Sequence, residues 1–265
     1  MGRCCLHDKT TIERFLRTDA QLHLYSLGDL DDFFWPHTVW YGHETAGSLD
    51  AVALLYVGMH VPTLLAFSHG GDALPALLRS IADLLPARFY AHLSPGISSA
   101  LEPTHRLASR GMHLKMGLAG AALPHPAATG GPPSAPVRLT PGDLPDLIAL
   151  YEESYPGNWF DPRMIDTGQY FGIRDGSRLV SVAGVHVYSP RYGVAALGNI
   201  ATLPSHRGRG LASRVTERLC RSLAEERIAV GLNVSADNAA AVACYRGIGF
   251  ETVASYEEYD VERRR

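Results

Sequence analysis

Asn199-Ile200-Ala201-Thr202-Leu203-Pro204-Ser205-His206-Arg207-Gly208-Arg209-Gly210-Leu211-Ala212 is the stretch on which the reading of this chain turns. The preceding apolar run, Val194 to Leu203, predicts a strand that ends at Leu203. A glycine-containing turn then leads into a helix predicted over 209–225, with Leu211, Val215, Leu219 and Leu223 on one face. The first turn of a helix leaves backbone N–H groups unpaired, and the helix dipole adds partial positive charge there. Gly208 and Gly210 let a ligand approach the backbone closely, and Arg207 and Arg209 add full charge. The combination describes a pyrophosphate cradle.

Three phosphate-binding readings compete for this turn. A P-loop needs Gly-x4-Gly-Lys-Ser/Thr, and no lysine lies here. A dinucleotide fingerprint needs Gly-x-Gly-x-x-Gly, but Gly208-x-Gly210 is followed by Ser213. The third pattern is Arg-x-x-Gly-x-Ala over Arg207, Gly210 and Ala212, preceded by Thr202-x-Pro204-x-x-Arg207-Gly208. A second block lies downstream. Asn233 falls on a strand predicted over 228–234, Asn238-Ala239-Ala240-Ala241 opens a short helix, and Tyr245-Arg246-Gly247-Ile248-Gly249-Phe250 closes it.

Together the two blocks resemble the Gcn5-related N-acetyltransferase (GNAT) superfamily over about 137–261. The first resembles its coenzyme A signature, and the second its Asn-x-x-Ala…Tyr-x-x-x-Gly-Phe segment. The resemblance implies an acyl-CoA N-acyltransferase fold, with a mixed, mostly antiparallel sheet flanked by helices. It implies acetyl-CoA as cosubstrate, no metal, and transfer of the acetyl group to a primary amine of a small molecule or peptide. The backbone of Ile200, Ala201 and Thr202 would pair with the pantetheine arm between two splayed strands, 199–203 and 229–234. Arg207, Gly208, Arg209, Gly210, Leu211 and Ala212 would hold the pyrophosphate, with Asn233 and Asn238 counted beside them.

Tyr245 matches the general acid of the family; its alternative is a packed aromatic. Many members place a glutamate on the strand before the turn, whereas this chain has Asn199, which is no base. His186 is the substitute, sharing a strand face with Val182 and Gly184 and titrating near neutrality; a satisfied core histidine is the alternative. Glu152 and Glu153 read better as solvated helix-face charges. The aromatic run Tyr155 to Phe160 suits either an acceptor pocket or a hydrophobic plug. Phe33-Phe34-Trp35 carries the same ambiguity, and Asp29, Asp31 and Asp32 suit either a cationic amine or solvent. Two further readings stay open: an acyltransferase for longer acyl groups, resembling glycine N-acyltransferases, and a non-catalytic acyl-CoA-binding sensor or interaction module.

Outward from this block, 119–136 is rich in Ala, Gly and Pro, carries no charge and reads as a linker. It separates residues 1–118 from 137–265. The first half shows a similar order of elements: strands over 51–57 and 63–67, a loop His69-Gly70-Gly71-Asp72, a helix over 74–85, a strand over 88–93, a short helix near 97–101 and a strand over 113–118. This is either a diverged repeat, hence two tandem GNAT-like domains, or an unrelated α/β half. Asp72 would repel a pyrophosphate, so the first half is expected to lack a cofactor site.

The whole chain has 265 residues and net charge −3, with 46% hydrophobic residues. That balance excludes a strongly basic nucleic-acid footprint. No apolar run reaches the roughly 20 residues of a membrane span, and the polar N-terminus lacks a signal core. A cytoplasmic monomer or homodimer is expected. The four cysteines, Cys4, Cys5, Cys220 and Cys244, form neither a disulfide framework nor a zinc pair.

Overall fold

Nearly every side chain of Arg178–Ser189 is buried, and that is why this run forms a central strand rather than a surface one. The computed structural model describes residues 2–118 and 135–264. The stretch read as a linker therefore lies outside the described residues except for Ala135 and Pro136. In chain order the elements are β1 (Gly2–Leu6), α1 (Lys9–Leu16), α2 (Leu24–Gly28), β2 (Thr38–Thr45), β3 (Ser48–Tyr56), β4 (Thr63–Ala66), α3 (Ala73–Ile81), β5 (Arg88–Leu93) and β6 (His105–Leu118). They continue with β7 (Val137–Arg138), α4 (Leu144–Ser154), β8 (Phe171–Asp175), β9 (Arg178–Ser189), β10 (Val194–Thr202), α5 (Leu211–Glu225), β11 (Ala229–Ser235), α6 (Ala239–Ile248) and β12 (Phe250–Arg263).

The chain divides into two compact units. The first comprises Met1–Lys115, Val234–Asp237 and Thr252–Arg265; the second comprises Met116–Asn233 and Asn238–Glu251. In the second unit the strand order is β7-β8-β9-β10-β11. Neighbours are antiparallel except β10 and β11, which run parallel with α5 as the crossover. The first unit repeats this order and these directions: β2, β3 and β4 are antiparallel, and β4 and β5 are parallel around α3. Its sheet is completed by β12, drawn from the far end of the chain and registered antiparallel on β5 from Glu257–Leu93 to Glu262–Arg88.

Helix α5 forms where its pattern predicts it. Leu211, Val215, Leu219 and Leu223 are buried on one face, together with Cys220. Each such side chain contributes roughly 1.5–3 kcal/mol by leaving water. Other expectations need correction. The chain enters α4 through a 3-10 turn, Pro141–Asp143, where the Thr140 backbone N–H and hydroxyl both donate to the Asp143 carboxylate, at 2.8 and 2.9 Å. From Phe250 to Arg263 the chain forms one long strand, β12. The strand expected over 113–118 already begins at His105, and the short helix near 97–101 is a 3-10 turn. Among the described residues no helix is long and apolar enough to cross a membrane, and no cluster of His, Cys, Asp or Glu has metal-ligand geometry.

Candidate active site

Parallel strands β10 and β11 are registered from Val194–Ala229 to Leu197–Leu232, and there the register ends. The cause lies on β10. Gly198 faces Gly184 of β9, and Ala201 faces Val182, so Asn199 and Ile200 stand against the single residue Ala183. This is a β-bulge, which bends a strand and re-aims its side chains. Asn199 takes φ +54°, a left-handed conformation that asparagine tolerates better than most residues. Beyond the bulge β10 stays on β9, with Ser181 Oγ 2.8 Å from Thr202 Oγ1 and donating to the Ala201 carbonyl at 3.3 Å. The opposite edge of Ile200, Ala201 and Thr202 is therefore left without a registered strand.

Leu203 is buried, and the chain then turns through Pro204–His206 to the glycines. Gly208 and Gly210 sit at φ +75° and +70°, and a Cβ built on either would meet nothing within 4 Å. Gly210 is the N-cap of α5, and no side chain caps the helix. The amides of Leu211 to Ser213 thus receive no capping side chain at the positive end of the dipole. Arg207 does more than supply charge: its guanidinium donates to the carbonyls of Thr202 (3.2 Å) and Ser154 (3.3 Å), tying the turn to the end of α4. Arg209 donates to the Ser205 carbonyl at 3.1 Å.

Asn233 follows the last registered residue of β11. Its Oδ1 is buried and has no hydrogen-bond partner among the described residues. Asn238 is differently employed: its side chain accepts from Ala241 N at 3.1 Å and caps α6. Tyr245 on α6 is buried against Phe250, their rings 6.0 Å apart, and burial raises its phenol well above the ordinary value. It keeps its proton at neutral pH. Ser213 Oγ and Cys244 Sγ, 3.1 Å apart, hold α6 to the first turn of α5.

His186 Nε2 lies 3.0 Å from Asn199 Oδ1, and burial lowers its pKa. Asn199 Nδ2 donates to Tyr170 Oη at 3.0 Å, and Tyr151 Oη donates to the Asn199 carbonyl at 2.8 Å. Phe160 packs between Tyr151 and Tyr170, at 5.1 and 5.9 Å, whereas Trp159 is 43% exposed. Glu153 is an exposed partner of Arg178, and Glu152 is exposed. In the first unit Asp32 pairs with Lys9, Asp31 accepts from Phe33 N, and Asp29 is buried with its carboxyl pushed up to about 7. Phe33 and Phe34 meet edge to face, and Trp35 stacks on Trp40. Sequence reasoning passed over Tyr151, Tyr170 and the pair Gly184–Gly198; glycines inside two apolar strands were the available signal.

A mixed sheet whose central parallel pair opens at a bulge, directly before an uncapped glycine turn, is the architecture of acyl-CoA N-acyltransferases. Residues 141–250 match the model of the acetyltransferase (GNAT) family. The likeness to that family is thus carried by the second half of the chain. It is 28% identical to the mycothiol acetyltransferase of Kocuria rhizophila over 233 residues, 81% of this chain and 71% of that protein. An uncharacterised Mycobacterium leprae protein is 31% identical over 132 residues, 46% of this chain and 35% of that one. This chain thus spans about a third of the length of the M. leprae relative. Among solved structures, a tandem GNAT protein from the clavulanic acid biosynthesis pathway superposes with a TM-score of 0.60 at 15% identity, covering 99% of this chain and 98% of its own.

Proposed function

We propose that the chain transfers an acetyl group from acetyl-CoA to a primary amine, and that the second unit carries the cosubstrate while the first carries none. The observation that bears most weight is the end of the β10–β11 register at Leu197–Leu232, followed at once by the uncapped α5 N-terminus. In this reading the free edge of Ile200, Ala201 and Thr202 pairs with the pantetheine amides, helped by Asn233 Oδ1. The α5 amides and the arginine-rich turn hold the pyrophosphate. The thioester carbonyl then lies between Tyr245 and the bulge.

The acceptor must present a neutral amine, although a free alkylamine has a pKa near 10.4. Its nitrogen attacks the thioester carbon, and the nitrogen becomes acidic as the C–N bond forms. His186, kept neutral by burial, takes that proton. The C–S bond breaks, and Tyr245 delivers its phenol proton to the departing sulfur. The tyrosine regains its proton from solvent. Asn238 serves through its cap, which sets the start of the helix that carries Tyr245.

Calorimetry with acetyl-CoA, then thiol release across a panel of amines, tests this reading. The acceptor used by the K. rhizophila relative is the first to try, given the similarity over 81% of this chain. One acetyl-CoA per chain and amine-dependent release of coenzyme A are expected. Preference for longer acyl-CoA would instead favour a glycine N-acyltransferase-like enzyme. Tight binding with no turnover on any amine would favour a sensor.

A further inference from the structure

We propose that Asn199 is a positioning residue that locks His186 in the tautomer with its proton on Nε2, so that Nδ1 is the basic atom. The inference rests on the reading of His186 as the base. It follows from counting protons around one buried amide.

Asn199 is 2% exposed and sits in the bulge with its carbonyl held by Tyr151. Tyr170 Oη has one proton, and it donates that proton to the Val185 carbonyl at 3.1 Å. Toward Asn199 it can only accept, so the NH2 end of the amide must face Tyr170. The sulfur of Met164, 3.5 Å from the same nitrogen, is a weak acceptor that adds to this preference without holding the amide by itself. Oδ1 is then left facing His186, and an amide oxygen carries no proton. The 3.0 Å contact therefore requires a proton on His186 Nε2. A neutral imidazole has only one, which leaves the lone pair on Nδ1.

The sheet is shaped for this arrangement. A Cβ at Gly198 would lie 2.2–2.4 Å from the His186 ring, and one at Gly184 would lie 2.1–2.6 Å from the Tyr170 ring. Gly184 and Gly198 are registered opposite each other, so the strands give up two side chains side by side to seat both rings. The groups acting on His186 are neutral: the Asn199 amide from β10, and behind it Tyr170 and Tyr151 from the segments packed on that strand. Asn199 occupies the place of a strand carboxylate, and in this chain it acts through another residue.

The test uses the full-length chain labelled with 15N at histidine, with His186 assigned from the His186→Gln spectrum. Long-range 1H–15N correlation is expected to show a pyrrole-type Nε2 and a pyridine-type Nδ1. Tyr170→Phe keeps the ring over Gly184 and removes the hydroxyl, so the amide can rotate and both tautomers should appear. Its kcat should fall roughly tenfold, less than the 10²–10⁴-fold of losing a base outright, with KM for acetyl-CoA unchanged. Asn199→Asp keeps an acceptor and adds a negative charge, so the low-pH limb of kcat/KM should move to higher pH. A protonated Nδ1 in the wild type, or a Tyr170→Phe spectrum unchanged from it, overturns the inference whatever the activity. An Nε2–H wild type combined with a His186→Gln pH profile identical to wild type overturns the reading of His186 as base, and the positioning role with it.

Discussion

The two units build the same parallel crossover and finish it in opposite ways. In the first, β4 and β5 are registered along the whole of β4, from Thr63–Tyr90 to Ala66–Leu93. Past that point Ser94 stitches the pair shut: Ser94 N donates to the Ala66 carbonyl, and its hydroxyl joins Ser68 N at 3.0 Å and Ser68 O at 2.9 Å. In the second, the corresponding pair stops at Leu197–Leu232 because Asn199 bulges. The turns that follow differ in sign. His69-Gly70-Gly71-Asp72 places a carboxylate at the start of α3, and His69 lies 2.5 Å from Asp19; Arg207-Gly208-Arg209-Gly210 presents arginines. After β5 the first unit has a 3-10 turn, Ile97–Ala100, where the second has α6 with Tyr245. In the first unit the edge that stays open on β10 is thus closed by ordinary hydrogen bonds.

The largest effect that would sharpen this contrast is on catalysis. Tyr245→Phe should lower turnover by about 10²-fold or more while leaving acetyl-CoA affinity in place, as expected for a proton donated chiefly in the transition state. Unchanged turnover would make α6 a structural difference only. Next is binding. Gly210→Val puts a β-branched residue at φ +70° on the open face of the turn and should weaken acetyl-CoA binding at least about tenfold, by strain and by lost backbone approach. Isothermal titration of the wild type should give one acetyl-CoA per chain, and two would break the comparison outright.

Stability offers a third test. Lys115 is 3% exposed under the rings of Phe67, Tyr25 and Tyr256, at 4.1–5.5 Å, and burial lowers its pKa from 10.5 to about 7. Between those two values the unfolded chain holds a proton that the folded chain has released, so wild-type stability climbs as pH rises. Lys115→Met should raise stability at pH 7, by about 1–4 kcal/mol, and the advantage should shrink as pH approaches 10.5. Thermal melts across that range check it, and a pH-independent difference would mean the amine is charged in the folded state. The smallest effect expected is from Ser94→Ala. It should cost roughly 1 kcal/mol for the lost stitch, with no second acetyl-CoA gained, because Asp72 remains.

Much of the second unit was legible because its signals are local. The four-residue spacing of Leu211, Val215, Leu219 and Leu223 predicted α5 to within two residues. Gly208 and Gly210 announced left-handed backbone, which few other residues adopt without strain. The first 45 residues resisted reading, since β1, α1, α2 and β2 are short and their apolar residues follow no sustained period.

Sequence by itself determined most elements of the second unit, the glycine turn and the sign of its charge, since periodicity, left-handed backbone and formal charge belong to single residues and their near neighbours. Only the tertiary structure decided which unit takes the last strand, because the register of β12 on β5 joins residues more than 160 positions apart. The same holds for Asn199. In the sequence it was a missing carboxylate; in the fold, hydrogen bonds reaching it from Tyr151, Tyr170 and His186 depend on long-range packing that no local pattern encodes.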